Sequence, residues 1–108
     1  MLSIFTTNSF DSWFAGLRDQ QGKRRIQARI DRMEDGYFGD VKAVGQGVSE
    51  LRIHCGPGYR VYVVQRGAEY VVLLAGGDKS SRQSDIETAI TLAKQISLKD
   101  LTAKEAAP

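Results

Sequence analysis

The sequence contains one cysteine, Cys55, and one histidine, His54, and these two scarcities exclude several kinds of site. A lone cysteine cannot form an intramolecular disulfide, and the chain has no paired Cys/His spacing of the kind that binds zinc. A lone histidine excludes a paired-histidine acid–base mechanism and a metal site built on several histidines. We therefore expect Cys55 to be a small buried thiol in a strand, and we predict neither a metal nor a cofactor.

Long apolar runs are also missing. The longest, residues 71–75, is far shorter than the roughly 20 residues that a membrane helix needs. Residues 1–10 carry no Lys or Arg and no continuous apolar core, so they resemble neither a signal peptide nor a transit peptide. We expect a soluble cytoplasmic protein without a membrane partner.

Charge and size point to one ordinary folded domain. The 108 residues are 42% hydrophobic, and 15 Lys and Arg against 13 Asp and Glu give a net charge of +2. This length supports a single domain over 1–108 with one core and no need for disulfides. The slight basic excess favours an anionic partner only weakly, so the distribution of charge matters more than its total.

The first half of the chain predicts a strand followed by two helices. Residues 2–6 alternate apolar and polar side chains, as a short strand does. Behind Asn8, an expected N-cap, apolar residues recur at helical spacing at Phe10, Trp13, Phe14 and Leu17. A second apolar stripe predicts a helix over about 23–34 that ends at Gly36: Ile26, Ile30 and Met33. Together these segments predict a helical hairpin.

The second half predicts three strands and a final helix. Glycines at 36, 39, 45 and 47 indicate a loop over 37–47. Residues 50–55 alternate, Gly56-Pro57-Gly58 predicts a turn into a strand over 59–66, and 69–75 is an apolar central strand. The S-x-x-E pattern at 84–87 predicts the start of a last helix, and the polar tail 102–108 should be frayed. The order β-α-α-β-β-β-α indicates an α+β fold, an antiparallel sheet with the helical hairpin on one face and a C-terminal helix.

A basic face follows from the hairpin. With the turn centred on Pro57, Arg52 lies opposite Tyr62 and His54 opposite Arg60, all on the face that the apolar residues of these strands do not use. No acidic residue occurs between positions 51 and 66. Two guanidinium groups without an internal counter-ion could clamp a phosphate, and an ordinary solvated sheet face is the alternative.

A second basic stripe runs along the predicted second helix at Arg25, Arg29 and Arg32. These side chains could also contact phosphate. The alternative is a solvated outer face, because acidic residues lie close by at 31, 34 and 35.

Five segments carry a family resemblance. They are GDVK (39–42), VSELRI (48–53), GPGYRVY (56–62), LLAGGDK (73–79) and QSDI (83–86). Over about residues 10–93 the chain resembles the phage-derived addiction-module killer proteins, a HigB-like branch of the RelE/ParE toxin superfamily.

The resemblance implies a RelE fold that enters the ribosomal A site and cleaves bound mRNA. It also implies a cognate antitoxin that inactivates the toxin and often carries a DNA-binding domain. Motif by motif, Arg52, Arg60 and Lys79 fall at basic active-site positions of the family, and Lys42 falls where related toxins often carry Lys. Such cations can stabilise the charge that develops when the RNA 2′-hydroxyl attacks its own phosphate, which requires no metal.

The sequence departs from the RelE pattern in two places, and this leaves the general acid and base open. Residues 80–90 contain no tyrosine, and the C-terminal histidine of some HigB-like relatives is missing. The candidates are Asp85, Glu50, His54 and Tyr62. Two other functions are open as well. One is a ParE-like poison of DNA gyrase, and the other is a non-catalytic antitoxin-binding module, which carboxylates such as Asp78 or Asp85 inside the basic cleft would favour.

Overall fold

The computed structural model of the chain describes residues 2–96 and the backbone of Thr102–Ala103. Within these residues the helices are α1 (Asn8–Gly16), α2 (Gln20–Met33) and α3 (Arg82–Gln95), and a single 3-10 turn, Lys79–Ser81, precedes α3. The strands are β1 (Ser3–Thr6), β2 (Val41–Gly45), β3 (Val48–Ile53), β4 (Tyr59–Arg66), β5 (Tyr70–Gly77) and the two-residue β6 (Thr102–Ala103). None of the described helices is long and apolar enough to cross a membrane.

The strands form one mixed sheet in the order β2-β3-β4-β5-β1-β6. β2 to β5 make an antiparallel meander, whereas β1 lies parallel to β5. The predicted α+β class is confirmed, but the prediction of a wholly antiparallel sheet is wrong. Parallel neighbours need a long crossover, and the chain between β1 and β5 supplies it with α1, α2 and three strands.

β2 is a strand where the sequence predicted a loop over 37–47. It lies at the edge of the sheet, and four of its five residues are exposed, so its burial shows no alternation. The glycines belong mostly to its ends, where Gly45 and Gly47 have φ values of 114° and 82° in the turn to β3. Without a buried face there was no periodicity to detect.

The helices begin earlier than predicted. Thr7, rather than Asn8, caps α1 by accepting a hydrogen bond from the Phe10 N–H. Asp19 caps α2 through the Gly22 N–H. Gly22 lies inside α2 at a close-packing point, where a Cβ would lie 2.6 Å from the Tyr59 ring. α3 already starts at Arg82, so the S-x-x-E pattern at 84–87 lies within the helix and is not its cap.

Two hydrophobic cores lie on opposite faces of the sheet. The first packs buried residues of α1 and α2 onto the sheet, including Phe10, Ile26, Ile30 and Met33. The second packs α3 onto the other face with Ile86, Ala89, Ala93 and Tyr62. The predicted single core is therefore wrong, because α3 covers part of the face that was expected to stay open.

The β3–β4 register differs from the prediction by two residues. Arg52 is directly opposite Arg60, and Glu50 is opposite Tyr62. The turn is centred nearer Gly56 than Pro57, with the Gly58 N–H donating to the Cys55 carbonyl. Cys55 lies in this turn and is only partly buried, so the predicted buried strand thiol is also wrong. Within the predicted frayed tail, Thr102 and Ala103 form β6, and residues 104–108 lie outside the described residues.

Candidate functional site

The candidate site is built around a buried carboxylate on β3. The Glu50 side chain is 0% exposed, and a lone ionised carboxylate in such a position would be severely destabilising. Its first partner comes from the neighbouring strand, where the hydroxyl of Tyr62, directly opposite, donates to Glu50 Oε2 at 3.1 Å.

Three guanidinium groups surround the same carboxylate. Arg82 Nε lies 2.9 Å from Glu50 Oε2, Arg52 Nε 3.3 Å from Oε1, and Arg60 Nε 3.4 Å from Oε2. They come from the first residue of α3, from β3 and from β4. We call Glu50 with these three arginines the arginine cluster.

The arginine cluster keeps a surplus of positive charge. Three guanidinium groups around one carboxylate leave a net charge of +2. The side chains of Arg52, Arg60 and Arg82 are 31%, 15% and 37% exposed. Among residues 2–96, each guanidinium keeps at least one terminal nitrogen without a protein partner. Such nitrogens can donate to the oxygen atoms of an anion such as phosphate.

Tyr62 lies beneath the cluster. The prediction that it shares an open face with the arginines is wrong, because it is 0% exposed and packs in the second core. Burial and the adjacent Glu50 carboxylate raise the pKa of the Tyr62 phenol well above its ordinary value. The phenol therefore stays protonated and serves as a donor to Glu50.

Lys79 lies at the rim of the cluster. Its aliphatic chain covers Gly58, whose φ of 83° suits glycine and where a Cβ would meet Lys79 Cε at 2.7 Å. The Gly58 carbonyl also accepts a hydrogen bond from Arg60 Nη1 at 3.2 Å. Lys79 and Arg60 thus contact the same residue of the β3–β4 turn. Within residues 2–96 no carboxylate lies within salt-bridge distance of Lys79.

Two further carboxylates stand near the cluster without pairing to it. Hydrogen bonds from the Ser80 side chain and N–H, and to a smaller extent the charge of Arg60, lower the pKa of Asp78. Asp85 accepts a hydrogen bond from Ser81 Oγ at 2.6 Å, and a Cβ at Gly77 would overlap its carboxylate. In the described part of the chain neither makes an ion pair with an arginine of the cluster.

The predicted helical stripe is divided between two environments. Arg29 does not face solvent as a free cation: its Nη1 donates to the Arg52 carbonyl, and its Nη2 to the carbonyls of Phe38 and Asp40. The prediction is wrong for Arg29, whose guanidinium is used to join α2 to β3 and to the loop before β2. Arg25 is exposed on α2, and its contact with phosphate stays a prediction.

Lys42 and His54 are not among the side chains that contact Glu50 within residues 2–96. Lys42 is exposed on β2, directly across from Glu50, in a strand rather than the predicted loop. His54 Nε2 lies 2.6 Å from Asp40 Oδ2, and this hydrogen bond is the main cause that lowers the pKa of Asp40. The His54 side chain is 76% exposed and belongs to this pair, not to the arginine cluster.

The sequence analysis did not identify Arg82 as part of the site, and it did not identify Glu50 as the counter-ion of Arg52 and Arg60. Residues 51–66 contain no acidic side chain, and the counter-ion of Arg52 and Arg60 lies one position before that segment. The sequence does indicate this role for Glu50, because Glu50 lies two residues before Arg52 and therefore shares its face of the strand. No sequence pattern predicts the contact between Arg82 and Glu50, because that contact depends on the residue at which α3 begins.

Metal ligands are not grouped in the described part of the chain. Within it, no set of three or more His, Cys, Asp and Glu side chains is placed to hold a metal ion.

An uncharacterized protein of Haemophilus influenzae is 46% identical to this chain over 97 residues, which cover 90% of this chain and 98% of the relative. The chain belongs to the family of that protein. No family model matches the sequence, and no solved structure matches it.

Proposed function

We propose that this chain is the toxin of a type II toxin–antitoxin pair, a RelE-like endoribonuclease that cuts mRNA on the ribosome without a metal. The observation that carries the proposal is the arginine cluster, in which three guanidinium groups surround one carboxylate and each keeps a terminal nitrogen that makes no hydrogen bond with any residue of 2–96. Two of them, Arg52 and Arg60, are the residues to which the RelE/ParE resemblance assigns a basic active site. Lys79, the third such residue, contacts the turn beside Arg60.

The chemistry needs a concentrated positive charge. When the 2′-hydroxyl of RNA attacks the adjacent phosphate, negative charge accumulates on the phosphate oxygens. Guanidinium groups already fixed in place stabilise that charge without reorganising, and one such donor contributes about 3 kcal/mol in comparable oxyanion sites. Asp85 is the remaining candidate for proton transfer, since the carboxylate of Glu50 and the phenol of Tyr62 are both enclosed and His54 is paired with Asp40 outside the arginine cluster.

Glu50 also favours a second candidate, a non-catalytic module that binds its antitoxin. A carboxylate inside a basic cleft reduces the charge available for catalysis, and the cluster could equally accept an acidic segment of a protein partner. The retained surplus of +2 is our reason for preferring the nuclease.

Inducible expression in a bacterium separates these functions. RNA ends are mapped after induction, and plasmid supercoiling and gyrase-linked DNA breaks are measured in the same cultures. We expect growth arrest with new cuts inside translated messages. Intact messages with trapped DNA breaks would contradict the nuclease in favour of a gyrase poison. Normal growth with intact RNA and DNA would leave the binding module.

A further inference from the structure

Glu50 is too enclosed to act on a substrate, yet it contacts every arginine of the site. Oε1 faces Arg52 and Arg82, and Oε2 faces Arg82, Arg60 and the hydroxyl of Tyr62. We propose that Glu50 is a positioning residue that orders Arg52, Arg60 and Arg82 into a three-guanidinium clamp for one phosphate group. This inference rests on the proposed function for the source of the phosphate, an RNA phosphodiester, and names Arg82 as a third contact.

The β3–β4 register makes such a residue necessary. Arg52 and Arg60 are directly opposite each other on neighbouring strands, a placement in which like charges repel. Glu50 lies one pair further along on the same face and contacts both. Without its charge, the two guanidinium groups would separate into solvent and would no longer be held beside one carboxylate.

Arg82 adds a third guanidinium group from α3. It is the first residue of α3 and makes the shortest contact with Glu50, at 2.9 Å. Its Nε and Nη2 both face the carboxylate, which leaves Nη1 for a ligand. A phosphate seated over the cluster would therefore contact groups from β3, β4 and α3 at once.

Two opposite roles for Glu50 predict opposite results for Glu50→Gln. If the carboxylate merely competes with the anion, removing its charge raises the net charge by one and tightens binding. If it positions the arginines, phosphate binding weakens despite the added positive charge. We expect a loss of about tenfold, the scale of one charged hydrogen bond, and partial recovery in Glu50→Asp, which keeps the charge on a shorter side chain.

The measurement is a titration of the full chain with inorganic phosphate, followed by the arginine Nε–H resonances in NMR spectra. Phosphate should shift the resonances of Arg52, Arg60 and Arg82 in the wild type and leave that of Arg66 unchanged. A parallel titration with a 2′-deoxy trinucleotide, which carries phosphodiesters but cannot be cleaved through a 2′-hydroxyl, compares diester with free phosphate. Tighter binding by Glu50→Gln, or no shift of the three resonances in the wild type, would overturn the proposal.

A second variant covers the case in which Glu50→Gln does not fold. Arg82→Met removes one clamp arm at a partly exposed site, and Arg66→Met is its matched control. Arg66 also carries one charge and one contact to α3, through the Ala93 carbonyl at 3.0 Å, but it lies outside the cluster. We expect phosphate affinity to fall about tenfold in the first variant only. An equal loss in both would show a general charge effect and overturn the clamp.

The positioning role of Glu50 and the proposed nuclease activity can be disproved independently of each other. If the clamp binds phosphate as described while translated messages stay intact in cells, the nuclease proposal fails and the positioning role of Glu50 stands. If messages are cut while Glu50→Gln binds phosphate more tightly, the positioning role fails and the nuclease stands.

Discussion

Glu50 is fully buried, and a buried carboxylate stabilises the fold only while its charged partners are present. Replacing it by leucine leaves three arginines without a counter-ion. We expect Glu50→Leu to lower the free energy of unfolding by about 3 kcal/mol, at the lower end for a broken buried ion pair because the arginines reach solvent. Urea unfolding measures this loss. Glu87→Leu, at an exposed position of α3, is the control, and an equal effect there would mean that the ion pairs contribute nothing.

Arg60 is the residue whose removal should separate activity from folding. It is one of three arginine partners of Glu50, so the carboxylate keeps Arg52 and Arg82 in Arg60→Ala. We expect toxicity and message cleavage to fall by about 100-fold, as for loss of one charge-stabilising donor, with little change in melting temperature. Arg66→Ala controls for loss of one arginine from the same strand. Unchanged killing by Arg60→Ala at equal expression would remove Arg60 from the site.

At the scale of the elements, one hydrogen bond ties the start of α2 to the start of β4. Tyr59 donates to Asp19 Oδ2 at 2.8 Å, while the other carboxylate oxygen caps α2. Burial, and then the Asp19 carboxylate, raise the pKa of Tyr59 to about 12 from its ordinary 10.0. The folded protein therefore holds this proton more tightly than the unfolded chain does. The resulting stability is complete below about pH 10 and is lost as the pH rises towards about 12.

We therefore expect alkaline unfolding to depend on Tyr59. Tyr59→Phe should lower the free energy of unfolding by about 1 kcal/mol near neutral pH, the contribution of one hydrogen bond. Between about pH 10 and about pH 12 the difference from the wild type should shrink. Urea titrations across this range measure it, with Tyr37→Phe as the control because Tyr37 is 71% exposed. A constant difference at all pH values would contradict the assignment.

The junction between β5 and α3 depends on a glycine. A Cβ at Gly77 would overlap the carboxylate of Asp85 and approach Ser81 Oγ to 2.9 Å. We expect Gly77→Ala to destabilise the protein by about 1–3 kcal/mol through overpacking and to displace the first turn of α3, which carries Arg82. Thermal melting gives the first effect, and phosphate titration the second. Gly16→Ala, with open space around it, should change neither.

The helices and strands that could be predicted from the sequence are those with a buried face. α2 and β5 have strong apolar patterns and were predicted with modest errors at their ends. β2 has no buried stripe, so it was mistaken for a loop. Arg52 and Arg60 were placed on one face correctly because strand parity is local. Their register and their counter-ion were not predicted correctly. A two-residue change in the turn alters which residues are opposite each other but leaves each side chain on the same face of the sheet.

Across the whole molecule, both cores share one sheet, so they should unfold together. Trp13, the single tryptophan, reports on the first core, and circular dichroism reports on all elements. We expect coincident transitions, and we expect Ile4→Ala, at a 1% exposed site in β1, to lower the free energy of unfolding by about 3 kcal/mol by both probes. Separate transitions would mean that the face covered by α3 is an independent unit.

The pairing of β1 with β5 also decides when the fold can be completed during synthesis. Thr7 Oγ1 donates to the Leu74 carbonyl across 67 positions of the sequence, and Ser3 pairs with Tyr70. β1 must therefore wait, without this partner, until β5 has been synthesised and has left the translating ribosome. Closing such a distant pair is slow compared with forming a helix, so the nascent chain exposes the apolar side of β1 until β5 emerges, and the native sheet can form only after that point.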